Sequence, residues 1–95
     1  MSDLLNSAVE ALNAKLEGGF DSTAKFELTG VGALILDADG VRIGDDEAEV
    51  TLTADPDVFE EILTGELNPT SAFMGGKLSI DGDMGVAMKL ASLLA

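Results

Sequence analysis

Residues 63–95 have the sequence LTGELNPTSAFMGGKLSIDGDMGVAMKLASLLA, which differs in charge from the rest of the chain. It contains three acidic and two basic residues, whereas residues 1–62 contain fifteen acidic and three basic ones. The net charge is therefore −12 before the stretch and −1 within it. Residues 84–95 are apolar apart from Lys89 and Ser92. A helix that is apolar around most of its circumference must be covered by a protein core, a partner or a ligand.

Capping and turn signals divide this stretch into a short helix, a strand and a closing helix. Asn68 followed by Pro69 is a typical helix start, because Asn caps the first turn and Pro suits the first helical position. The segment after the next two glycines alternates, with Leu78 and Ile80 turned inward. Asp83 is placed to cap the closing helix.

The preceding residues predict a helix, a run of strands and another helix. Apolar residues recur at helical spacing over residues 3–17, and Gly18-Gly19 ends that helix. The helix carries one base, Lys15, so packing on a sheet is favoured over membrane anchoring. Asp55-Pro56 starts the second helix. The predicted strands are residues 23–29, 33–36, 41–43 and 48–53, with a hairpin turn at Asp37-Ala38-Asp39-Gly40.

This order predicts an α+β domain spanning residues 1–95. We expect about five strands in a mostly antiparallel sheet, with helices gathered on one face. Because the last strand follows two helices, its insertion away from its sequence neighbour is left open.

Composition excludes several functional classes. A net charge of −13 argues against nucleic-acid binding and limits membrane contact to a transient one. Histidine, cysteine, tryptophan and tyrosine are absent, which removes the commonest general base, the thiolate nucleophile and the usual zinc ligands. We therefore expect no enzyme activity, no metal and no cofactor. The first residues lack a secretory signal, and cytoplasm is the default location.

Three short motifs are too weak to assign a site. A calcium loop starting at Asp37 would need glycine and an acid where Arg42 and Ala48 stand, although a weak cation site there is left open. Leu78 replaces the metal-binding hydroxyl of a P-loop after Gly75-Gly76-Lys77. Asp21-Ser22 is similar to the serine motif of acyl carrier proteins, but it opens a strand in this chain.

The last third resembles the sterol carrier protein 2 (SCP-2) family of sterol-transfer domains. The dense part of the resemblance covers roughly the last 30 residues, and a weaker one in strand pattern covers the rest. The matching residues are Gly65, Asn68-Pro69, Ala72-Phe73-Met74, Gly76-Lys77-Leu78, Ile80, Gly82-Asp83-Met84-Gly85 and Ala87-Met88-Lys89-Leu90.

The resemblance implies a lipid-binding module with an apolar tunnel between sheet and helices. Its ligands would be sterols, fatty acids, acyl-CoA esters or similar lipids, bound without covalent chemistry and either held or transferred. Phe73, Met74, Met84 and Met88 match the family pattern, and methionine suits varied apolar shapes. From composition alone these four would be core packing, and the resemblance reverses that preference. The expected lipid-binding residues are Leu12, Leu16, Phe59, Leu63, Phe73, Met74, Leu78, Ile80, Met84 and Met88.

A structural or interaction protein is the alternative. In that case residues 84–95 would form a dimer or partner interface. For the lipid-binding protein we expect a monomer or a weak dimer.

Overall fold

The computed structural model describes residues 3–17 and 19–94. In these residues, four helices and five strands follow one another in the predicted α+β order. The elements are α1 (Asp3–Leu16), β1 (Ala24–Leu28), β2 (Gly32–Asp37), β3 (Gly40–Ile43), β4 (Val50–Ala54), α2 (Pro56–Thr64), α3 (Pro69–Met74), β5 (Leu78–Gly82) and α4 (Met84–Leu94).

The five strands form one mixed sheet in the order β3-β2-β1-β4-β5. β1 pairs with β2 in antiparallel and with β4 in parallel orientation, and the other two pairs are antiparallel. Thus β4, rather than the last strand, lies away from its sequence neighbour β3, while β5 follows β4 at the edge. The register places one apolar row across the inner face: Ile43, Leu34, Phe26, Leu52 and Ile80.

The helices pack on this inner face and close a single apolar core. The rings of Phe59 on α2 and Phe26 on β1 lie 4.6 Å apart at an interplanar angle of 60°. The first helix lies over β2 and β3. At Gly32 this approach is so close that a Cβ atom would lie 2.9 Å from Leu5 Cδ1. A side chain at this position would crowd Leu5. The φ of 153° separately disfavours residues other than glycine.

The loop after β3 covers part of the outer face. Ile35 points outward on β2 but is only 2% exposed. Gly44 lies directly over it, and Lys25 Nζ holds Asp45 Oδ1 at 2.7 Å beside it. The uninterrupted apolar run of β2 is therefore buried on both sides of the sheet.

The predicted turns and caps are largely confirmed. Asn68 Oδ1 accepts from the backbone N–H groups of Thr70 and Ser71 at 2.8 and 3.4 Å, and Asp83 Oδ1 accepts from that of Val86 at 3.1 Å. Asp55 stands at the N-cap position of α2, but its side chain makes no capping hydrogen bond. The predicted stop at Gly18 lies outside the described residues.

In the Asp37–Gly40 hairpin, the Asp37 carboxylate accepts hydrogen bonds from one side chain and one backbone N–H group. Its Oδ2 accepts from Arg42 Nη1 at 2.6 Å, and its Oδ1 accepts from the Asp39 backbone N–H at 3.0 Å. Within residues 3–17 and 19–94, no group of three acidic residues is arranged to hold a metal ion. In the same ranges, no helix has the length and apolar character needed to cross a bilayer.

Candidate functional site

The last two helices and the edge strand meet at one end of the sheet. The third helix contacts β5, and α4 contacts β4, β5, α3 and α1. Two backbone hydrogen bonds hold this arrangement. The Lys77 N–H donates to the Ala72 carbonyl at 2.9 Å, so α3 turns directly into β5. The Asp83 N–H donates to the Glu49 carbonyl at 2.9 Å, which anchors the start of α4 beside β4.

The closing helix has a buried stripe and two exposed flanks. Successive residues of a helix are rotated by about 100°. The buried residues fall within about 100° of its circumference by that geometry; they are Val86, Ala87, Leu90 and Leu94. Met84 and Met88 lie together on one flank, and Lys89 and Leu93 lie together on the other. The stripe is covered by the chain's own core.

Lys89 joins α4 to the segment between α1 and β1. Its Nζ atom lies 3.1 Å from Asp21 Oδ1 and 3.4 Å from Ser22 Oγ, in the segment between α1 and β1. The same ammonium group lies 6.0 Å from the centroid of the buried Phe20 ring. The Lys89 flank therefore faces the start of β1, and the two methionines lie on the flank away from that contact.

Most of the large apolar side chains that are exposed in the described residues lie on α3 and α4, and Val31 and Ile43 lie elsewhere. Phe73 is 39% exposed, Met74 80%, Met84 44% and Met88 48%. We call these four residues the α3–α4 apolar surface. Large apolar side chains exposed together on neighbouring helices are typical of a surface that binds a ligand, membrane or partner.

The structure divides the ten predicted lipid-binding residues by depth. Leu12, Leu16, Phe59 and Leu78 belong to the buried core. Leu63 and Ile80 are partly buried and pack against that core. The remaining four form the α3–α4 apolar surface. The predicted residues thus extend from the surface of the last two helices, through a partly buried layer, to the floor between sheet and helices.

The tunnel expected between sheet and helices stays a prediction. Side chains that would border it, such as Leu12, Phe59 and Leu78, pack into one core cluster and are at most 2% exposed. A ligand that enters between these layers must therefore displace side chains. Met84 and Met88 suit such movement, because the unbranched thioether chain has three rotatable bonds.

Sequence reasoning missed part of α4. Val86, Leu90 and Leu94 form its buried stripe, and Leu93 is 43% exposed on the flank opposite the methionines. The spacing of 86, 90 and 94 by four residues puts them on one helical face, but 84 and 88 share that spacing, so it does not show which face is buried.

Two clefts lie elsewhere on the molecule. One of about 530 Å³ lies on the outer face of the sheet, bordered by Glu27, the β1–β2 turn, Asp45 and Thr53. Another, of about 370 Å³, is bordered by Asp57, Glu60, Glu61, Thr64 and Glu66 around α2. Neither includes a predicted lipid-binding residue.

Known proteins match the whole chain. A family model described as the SCP-2 sterol transfer family matches residues 2–95. Hydroxysteroid dehydrogenase-like protein 2 of Danio rerio is 34% identical over 103 residues, covering 100% of this chain and 25% of that protein. Human sterol carrier protein 2 is 49% identical over 49 residues, which cover 52% of this chain and 9% of that protein. The chain thus spans a quarter or less of the length of these two relatives.

The same likeness holds in three dimensions. Sterol carrier protein 2 of Aedes aegypti, solved by NMR in complex with the C16 fatty acid palmitate, superposes with a TM-score of 0.81. It is 26% identical and the match covers 100% of this chain and 97% of that one. Sequence and fold therefore agree, and the chain belongs to the SCP-2 sterol transfer family.

Proposed function

We propose that this chain binds a single lipid non-covalently, with the acyl chain or ring system entering between α4, α3 and the inner face of the sheet. The observation that carries the proposal is the likeness over the full chain to a sterol carrier protein 2 solved with palmitate. Sterols, fatty acids and acyl-CoA esters are the ligand classes that follow. The chain would hold such a lipid or transfer it between membranes.

The α3–α4 apolar surface is the proposed mouth of the site. Its four side chains are exposed, while Leu63 and Ile80 behind them are partly buried. A lipid chain that passes between these layers exchanges water for apolar contacts at each step. Burying one methylene contributes about 0.8 kcal/mol. Micromolar binding requires about 8 kcal/mol, so roughly ten buried methylenes would suffice before the entropic costs of binding.

The interaction-protein alternative has less support. Its premise was that an apolar closing helix must be covered by a partner. The largest part of that need is met within the chain, since Val86, Ala87, Leu90 and Leu94 are already buried in the core. What stays exposed on α4 is Met84, Met88 and Leu93. We accordingly propose a monomer or weak dimer that makes at most transient membrane contact and binds no nucleic acid.

Catalysis is not part of the proposal for this domain. The described core contains no buried polar or charged side chain. Acid–base catalysis by carboxylates needs one of them in an apolar environment that shifts its pKa. We propose that the chain acts as a carrier, in the cytoplasm, and cell fractionation tests the location.

Native mass spectrometry tests the proposal most simply. The protein is purified without detergent, and the intact mass is compared before and after organic extraction. We expect co-purified lipid at one molecule per chain, and saturable uptake of a fluorescent sterol or fatty acid at 0.15 M salt. A chain that retains no lipid and takes up neither probe would contradict the function. Sedimentation of the same sample tests the interaction-protein alternative. An obligate dimer that contains no lipid would favour that alternative.

A further inference from the structure

We propose that the lipid site of this chain selects uncharged headgroups over anionic ones, through the electric field of the chain's own carboxylates. The inference rests on the proposed lipid-binding function and names the ligand class within it. Sterols, long-chain alcohols and neutral esters would bind better than fatty-acid anions, and acyl-CoA esters would bind worst.

The field is large and nearly uncompensated. The chain has eighteen acidic and five basic residues. Three of the five bases already form ion pairs: Lys25 with Asp45 at 2.7 Å, Arg42 with Asp37 at 2.6 Å and Lys89 with Asp21 at 3.1 Å. From Glu10 onward, the acidic residues are exposed except Asp37, which is partly buried. Most carboxylates therefore face solvent, where an approaching ligand meets them.

The size of the molecule makes this field act on the lipid site as a whole. The extents of the chain are 30 × 29 × 22 Å. The distance over which charges are screened is about 30 Å at 0.01 M salt and about 8 Å at 0.15 M. At low salt every carboxylate thus acts on a headgroup at the α3–α4 apolar surface. At physiological salt only near neighbours do.

The charged residues near the α3–α4 apolar surface do not reverse the preference for uncharged headgroups. Lys89, the base on α4, is held by Asp21 on the far flank. Asp81 on β5 and Asp83 at the start of α4 flank Met84 in sequence and are exposed. Lys77, exposed in the turn after Met74, offsets one of these two negative charges. These three residues sum to −1, which has the same sign as the net charge of the chain.

Matched ligands separate headgroup charge from chain length. Hexadecanol, palmitate and palmitoyl-CoA would each displace an uncharged fluorescent sterol from the purified chain at pH 8, at 0.01, 0.15 and 0.5 M NaCl. From 0.01 to 0.15 M, screening should strengthen palmitate binding by about five- to tenfold and palmitoyl-CoA binding by about a hundredfold or more. Hexadecanol should change by less than about twofold, because it carries no charge.

A variant with fewer negative charges tests the charge selection independently. Glu60, Glu61 and Glu66 are exposed on and after α2, outside the proposed lipid-binding residues. The triple change Glu60→Gln, Glu61→Gln, Glu66→Gln removes three negative charges at nearly unchanged helix propensity. It should strengthen palmitate binding at 0.01 M by about 1.5-fold and leave hexadecanol binding unchanged.

The outcomes distinguish the two proposals. If none of the three lipids displaces the sterol and no probe binds at any salt concentration, the lipid-binding function itself fails. If lipids bind but palmitate equals or exceeds hexadecanol at 0.01 M, or all three share one salt dependence, the charge selection is overturned and the lipid-binding function stands.

Discussion

Asn13 on α1 is joined to Val41 on β3 through both ends of its side-chain amide. Its Oδ1 accepts from the Val41 backbone N–H at 3.1 Å, and its Nδ2 donates to the Val41 carbonyl at 3.4 Å. β3 is an edge strand of the sheet. The amide thus occupies backbone groups that an edge strand would otherwise leave open to pairing with another chain.

Replacing Asn13 by leucine should therefore destabilise the fold. The change leaves the partly buried Val41 N–H and carbonyl without partners, which should lower the free energy of unfolding by about 1–3 kcal/mol. Asn6→Leu on the exposed face of the same helix is the control and should change it by less than about 0.5 kcal/mol. Urea unfolding compares them, and equal effects would show that the amide does not hold the edge.

The two aspartates that precede helices should differ in their effect. Asp83 Oδ1 accepts from the Val86 N–H, whereas the Asp55 side chain makes no such bond. We expect Asp83→Ala to lower the free energy of unfolding by about 1 kcal/mol, and Asp55→Ala to lower it by about 0.5 kcal/mol or less through the helix dipole alone. A larger cost for Asp55→Ala in urea unfolding would contradict this assignment of the caps.

Acid should weaken the β2–β3 hairpin through Asp37. The hydrogen bond from Arg42 is the main cause that holds the pKa of Asp37 below its ordinary value of 3.8. A lowered carboxyl pKa contributes stability above the unfolded-state pKa, and that stability is lost as pH falls through the folded-state pKa. We expect Arg42→Gln to raise the pKa of Asp37, measured by NMR titration of its carboxyl carbon. An unchanged titration would contradict the pairing.

Alkali should act through Lys25, which lies in the same cross-strand row as Ile35 and Arg42 on the outer face. The hydrogen bond to Asp45 is the main cause that raises the pKa of Lys25 above its ordinary value of 10.5. This contribution is present below the unfolded-state pKa and is lost as pH rises through the folded-state pKa. Asp45→Asn should therefore destabilise the chain at neutral pH, and the difference from the parent should shrink above pH 10.5. A difference that stays constant to higher pH would show that the charge of Lys25 is not involved.

Element positions could be predicted from the sequence because they depend on local chemistry. The Asn68-Pro69 start, the end at Gly65 and the cap at Asp83 act within one helical turn, and the structure places each where it was predicted. Strand neighbours could not be predicted in the same way. All the strands present apolar residues to one face, so alternation alone does not reveal that β4 pairs in parallel with β1.

The sequence also did not show which residues of α4 are buried. Its residues are apolar on most sides, and hydropathy therefore cannot separate Leu90, which is buried, from Leu93, which is exposed. The difference arises from tertiary packing, since Leu90 belongs to the core cluster and Leu93 does not. The family resemblance identified Met84 and Met88 as candidates, and their position on one exposed flank became visible only in the folded chain.

The central claim is that lipid enters at the α3–α4 apolar surface, and a matched pair of variants on α4 tests it. Met88 and Leu93 are 48% and 43% exposed on opposite flanks. Met88→Glu and Leu93→Glu introduce the same charge at similar exposure, so both should fold with free energies of unfolding within about 1 kcal/mol of the parent. Met88→Leu keeps the side-chain volume and should retain both fold and binding.

The decisive measurement is the dissociation constant of an uncharged fluorescent sterol for these variants at 0.15 M salt. Met88→Glu should weaken binding by about a hundredfold or more, because a carboxylate that loses water at the site costs several kcal/mol. Leu93→Glu should stay within about threefold of the parent, since its flank faces away from the methionines. If Met88→Glu binds the sterol as tightly as Leu93→Glu and the parent do, lipid does not enter at this surface.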